Sequence, residues 1–163
     1  MSTRSNILIT DGQEKLLFYK HSDGYPTGQG VLLKYMQGIK DKKLRDNVSQ
    51  SAGWLIVYGY LENQEDRKDF PPCPAFDWKV GSYEPTDFYG SDIEYFYICD
   101  IKKMQIEVFS ANFPYEDEDN IKNLRDKEEI EKAIKKGWLR KLGIIKDFKM
   151  EKLKRIEEKE NGD

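Results

Sequence analysis

The chain has 163 residues and a net charge of −3, with 38% hydrophobic and 13% aromatic content. That length fits one domain able to bury about two-thirds of its unfolded surface around an aromatic-rich core. Two cysteines, Cys73 and Cys99, are too few for a disulfide scaffold and lack the paired spacing of a zinc site. No run of about 18 apolar residues occurs, and the opening "MSTRSNILIT" lacks the apolar stretch of a signal peptide. The expectation is a cytoplasmic protein that neither spans a membrane nor leaves by that route.

Charge is unevenly placed. Residues 121–163 carry +4 and residues 1–120 carry −7, including the run Glu116, Asp117, Glu118, Asp119. An acidic body argues against a face for duplex nucleic acid, which relies on clustered Lys and Arg neutralising phosphates.

In chain order, "NILIT" and "EKLLFYK" flank an Asp-Gly turn and predict a β-hairpin over about residues 5–21. Val31, Leu32, Leu33, Tyr35, Met36 and Ile39 recur at helical spacing, so a helix starts near Gly28. "VSQSAGWLIVYGYLE" reads as a helix capped by Ser49 or Ser51. From Asn63 to Gly90, Pro71, Pro72, Pro74 and Pro85 with two glycines predict loop, with one strand inside "DWKVGSYE". "DIEYFYICDIKKMQIEVFS" predicts a second hairpin, with Ile93, Tyr95 and Tyr97 on one face and Phe96 and Ile98 on the other.

Further on, Asp126 is placed to cap a helix with the stripe Ile130, Ala133, Ile134 and a stop at Gly137. The final stretch is helical in propensity, with a thin stripe of Phe148, Leu153 and Ile156. The expected fold is α+β, an antiparallel sheet of two hairpins packed on two or three helices. Residues 1–112 form its core, and 120–163 form a charged helical extension.

The densest polar stretch is "HSDGYPTGQG", residues 21–30, which holds the chain's one histidine. Backbone needs explain much of it: Asp23-Gly24 suits a turn, and Pro26 pushes Tyr25 to extended geometry. The chemical reading rests on His21, whose unperturbed pKa lies near neutrality, with Asp23 to orient the ring and Ser22 and Tyr25 beside it. A following helix start would add free N–H groups suited to a phosphate. Gln50, Ser51 and Trp54 in "RDNVSQSAGWL", and Trp78, Tyr83 and Glu84 in "DWKVGSYEPTD", are the candidate further walls of one pocket. Asp23, Asp92, Glu94 and Asp100 could offer oxygens to Mg²⁺ or Ca²⁺, but strand carboxylates more often face water. No metal site is assigned, and no cofactor is named.

On "MSTRSNI", "HSDGYP", "RDNVSQSAGWLI", "DWKVGSYEPT" and "DIEYFYICD", the chain resembles a family of short proteins of phages, prophages and bacteria, over about residues 1–108. The resemblance implies an intracellular setting in a mobile element or its host, and no catalytic residues. The expected function is a non-enzymatic binding protein. Its partner would be a small phosphate-containing ligand or a host protein, in a counter-defence role. The alternative is a hydrolase on a phosphate-containing substrate, with His21 and Asp23 as the catalytic pair.

Overall fold

The computed structural model describes residues 3–62 in full, the backbone of 63–66, and residues 83–87, 92–114 and 124–162. Trp78, Cys73, the acidic run at 116–119 and most of the proline-rich stretch lie outside the described residues.

Strands β1 (Ser5–Thr10) and β2 (Lys15–Lys20) form the first hairpin. Its tip is closed by Asp11, whose Oδ1 accepts from the backbone N–H of Gln13 at 2.9 Å and of Glu14 at 2.8 Å. A single 3-10 turn (Pro26–Gly28) leads into α1 (Gly30–Lys40), and α2 (Val48–Ser51) and α3 (Gly53–Asp66) follow. Strand β3 is Tyr83–Thr86; β4 (Tyr95–Asp100) and β5 (Gln105–Ala111) make the second hairpin. The chain ends in α4 (Lys127–Lys135), β6 (Leu139–Ile145) and α5 (Met150–Gly162).

The class is α+β, and the strands form one six-stranded sheet in the order β3-β2-β1-β4-β5-β6. The sheet is mixed, not purely antiparallel, because β4 runs parallel to β1, pairing Ser5 with Tyr95 through Thr10 with Asp100. Neighbours joined by a tight turn must be antiparallel, whereas β4 reaches β1 after a long connection through the helices and β3. The stretch expected as a charged helical extension also holds a strand. β6 pairs with β5, so the sheet itself continues past residue 120, with a register shift at Val108/Phe109.

Alternation along the strands divides the core in two. Ile7, Ile9, Phe18, Tyr97, Cys99 and Val108 face α1, α3 and α5, with Met36, Leu55 and Leu153 packed against them. Leu8, Leu17, Phe96, Phe109 and Leu139 face the other way, beneath Ile130 and Ala133 of α4. The predicted stripe of α1 is buried throughout. Ile93 joins the second cluster, not the face of Tyr95 and Tyr97, because it precedes β4 and escapes the strand's alternation.

Caps follow local chemistry. Asp126 accepts from the Glu128 N–H at 3.0 Å and starts α4 as expected. The cap of α2 is Asn47, whose Oδ1 takes the Gln50 N–H at 3.2 Å and the Ser49 hydroxyl at 2.7 Å, so neither serine caps. The third residue of the α4 stripe, Ile134, is 42% exposed.

Leu153 of α5 is 1% exposed. Leu153→Ala is expected to cost about 2–5 kcal/mol, with Ile134→Ala close to neutral. Urea unfolding followed by circular dichroism checks this, and an unchanged Leu153→Ala midpoint would mean that α5 adds nothing to the fold.

Candidate functional site

The loop 21–30 folds as a hard turn, and its glycines are steric. A Cβ on Gly28 would sit 2.1 Å from the Asp23 carbonyl oxygen, and one on Gly24 2.8 Å from that of Thr3. Asp23 itself takes the left-handed region at φ 58°, which aspartate tolerates better than most residues. Tyr25 is extended ahead of Pro26, at φ −66° and ψ 159°, as the sequence predicts.

Successive residues of β2 point to opposite faces, and this separates the loop's neighbours. Lys20 follows Phe18 onto the face of α1 and is 1% exposed. Its ammonium donates to the Gly28 carbonyl at 2.8 Å and lies 4.8 Å from the centre of the Tyr83 ring, which offsets the cost of burying charge. Tyr83 Oη donates to Gln29 Oε1 at 2.7 Å. The Gln29 amide N–H₂ donates to the Gly24 carbonyl at 3.2 Å, and Tyr97 Oη donates to the same carbonyl at 2.7 Å. Lys20, Gln29, Tyr83 and Tyr97, with the Gln29 amide also 3.4 Å from Ser5 Oγ, thus form a buried net that fixes the loop to β1, β3 and β4.

His21 follows Tyr19 onto the opposite face. Arg4 Nε–H approaches His21 Nδ1 at 3.3 Å, with the ring nitrogen as acceptor. Tyr19 Oη lies 3.3 Å from the same nitrogen, and Arg4 pairs with Asp92 at 2.6 Å. Burial first, then the Asp92 carboxylate, pushes the Tyr19 hydroxyl above its ordinary range.

The described residues expected to share one pocket are spread over the molecule. Asp23 accepts from the Tyr25 hydroxyl at 3.2 Å and does not orient His21. Ser22 is buried. Ser51 is buried on the α1 side, 2.6 Å from the Tyr35 hydroxyl. Gln50 is exposed and accepts from Arg45 at 3.2 Å. α2 docks by the hairpin tip, where Ser49 N–H meets the Glu14 carboxylate at 3.2 Å, a strand's length from His21. Trp54 is exposed and packs its ring at a tilt against Tyr58, with centroids 5.8 Å apart. Tyr83 belongs to the buried net, and exposed Glu84 faces Tyr19 across the strand pair. Among the described residues, no group of three or more His, Cys, Asp or Glu gathers as a metal site would need. The hydrolase reading loses its dyad in this arrangement.

A concave surface lies at the opposite end of the sheet, where both hairpin tips meet the end of α1. A groove of about 790 Å³ has a floor of Ile39, Leu44, Ile101 and Met104. Lys40, Lys42, Lys43, Arg45 and Lys102 line it against two acids, Asp11 and Asp46. Backbone N–H groups hold the Asp11 carboxyl below its usual range, so it stays ionised and engaged with its own turn. The last carbonyls of α1 are also taken: Lys43 and Leu44 N–H both reach the Gly38 oxygen, at 2.9 and 3.1 Å. Lys42 stands at φ 60°, where helix ends commonly place glycine. The sequence reading passed over these cations; the signal was "KDKKLR" at the end of a predicted helix and "DIKK" at a predicted hairpin tip.

Burial sets the alkaline behaviour. It pushes Tyr35 up to about 12, carries Tyr83 and Tyr97 well above their ordinary value, and raises the Cys99 thiol. Each group stays neutral in the fold but ionises once the chain unfolds. Stability is therefore full below pH about 8, and falls as pH rises first through the unfolded thiol's range and then through that of tyrosine. Urea midpoints between pH 8 and 11 should decline, and Cys99→Val should delay the onset; a flat profile would contradict the burial of these groups.

Compared with known proteins, the chain matches no family model, no curated protein and no solved structure.

Proposed function

We propose that this is a binding protein for a small phosphate-bearing ligand, held in the groove between the end of α1 and the two hairpin tips. The observation that carries the reading is the excess of cations there, five against two acids, in a chain whose net charge is −3. Lysines serve as mobile point charges for phosphate, while the apolar floor accepts the ligand's uncharged part. The volume falls in the range of small-molecule sites, roughly 300–1,000 Å³. Backbone strain at Lys42 supports the same reading, since a lysine kept where glycine fits better needs a compensating use.

ATP and inorganic triphosphate titrated by calorimetry at low and moderate salt test this. Both should bind, more weakly as salt rises. Lys42→Glu with Lys43→Glu should lower affinity by roughly tenfold or more, and His21→Ala should leave it unchanged. Lys42→Gly should stabilise the fold by about 1 kcal/mol while weakening binding, because it removes strain and charge together. Absence of saturable binding by either probe in the unaltered protein would end this reading.

A further inference from the structure

The sheet's second face carries a groove of different chemistry. Six strands at about 4.8 Å spacing span roughly 24 Å, whereas one helix is about 10 Å wide, so α4 alone cannot roof that face. Beside α4 a groove of about 750 Å³ remains, floored by Leu8, Ile98 and Phe109 of the sheet and walled by Ile130 and Ile134 of the helix. Ile134 belongs to α4's apolar stripe by spacing, yet it is 42% exposed over this groove.

The rim is cationic. Lys15, Lys102, Lys103 and Lys127 line it, and among the described residues none of the four stands in an ion pair. With Arg125 the rim holds five cations against four acids, Asp11, Asp100, Glu107 and Glu131, and three of these acids point their oxygens at partners of their own. Asp11 and Asp100 each hold two backbone N–H groups of their own turns, and Glu107 pairs with Lys141 at 3.1 Å. Arg125 reaches Asp87 at 3.3 Å. An apolar floor beside four lysines outside any ion pair selects by both terms at once: the body of the ligand must be hydrophobic and its head negative.

We propose that this groove is a second site, which takes an amphipathic anion: an apolar chain ending in a phosphate or a carboxylate. It lies on the opposite face from the first groove, and the two share Asp11 and Lys102 at the sheet's end. The proposal does not depend on the function assigned to the first groove.

Calorimetric titration of the full chain with dodecyl phosphate and dodecanoate, each below its micelle threshold, tests it. Dodecyl maltoside and inorganic phosphate serve as the arms that lack the charge or the chain. Saturable binding is expected for one or both amphipathic anions, at least tenfold tighter than for either control; which of the two binds better identifies the head group. Ile134→Glu, and separately Lys103→Glu with Lys127→Glu, should each weaken it by roughly tenfold or more. Lys42→Glu with Lys43→Glu should not change it. The proposal is overturned if neither anion binds, if the maltoside or inorganic phosphate binds as tightly, or if the Lys42 and Lys43 changes abolish binding while those at Ile134, Lys103 and Lys127 do not.

Discussion

One buried amide ties the first third of the chain to the strands that follow it. Gln29 sits between β3 and the loop, accepting from the Tyr83 hydroxyl and donating to the Gly24 carbonyl, which the Tyr97 hydroxyl also reaches. A buried polar group is costly unless its partners are all in place, so this net admits one arrangement of loop, β1, β3 and β4. Lys20 adds a charge whose burial depends on the same neighbours. What reads in sequence as a reactive loop is thus the knot that joins the distant β3 and β4 to the first hairpin. Its density of glycine, proline and polar side chains serves that joining.

The second constraint is the unequal cover of the sheet. Helices α1, α3 and α5 share one face, and among the described helices α4 alone stands on the other. At the end where β1 and β4 finish side by side, both faces stay open beside the hairpin tips, and the two grooves flank the same pair of turns. Lysines cluster there because tips and helix ends are solvated. The same solvation leaves their charge available to a ligand.

Much of the fold was legible from periodicity. The hairpins follow from apolar runs on either side of a turn, and α1 and α4 from helical spacing. The parallel pairing of β1 with β4 was not legible, because strand order depends on long-range packing that alternation does not encode. β6 was hidden within a lysine-rich stretch: "LRKLGII" alternates poorly, and its burial comes from β5 beside it. For the site, residue chemistry drew attention to His21, whereas period two along β2 already put Lys20 inward with Phe18 and His21 on the opposite side with Tyr19. Weighing that alternation would have separated the imidazole from the α1 side before any coordinates. Ser51 and Tyr83 went astray for a related reason, as each spends its hydroxyl inside the core.

The two outer strands of the sheet differ from the inner four. β3 is four residues long and contains Pro85, which has no N–H to offer; β6 presents Arg140 and Lys141 and follows a register shift in β5. Each edge therefore discourages a strand from another molecule from adding on, one by lacking a donor and the other by charge and twist. The aromatic and aliphatic sequence in the strands thus meets other molecules only across guarded edges.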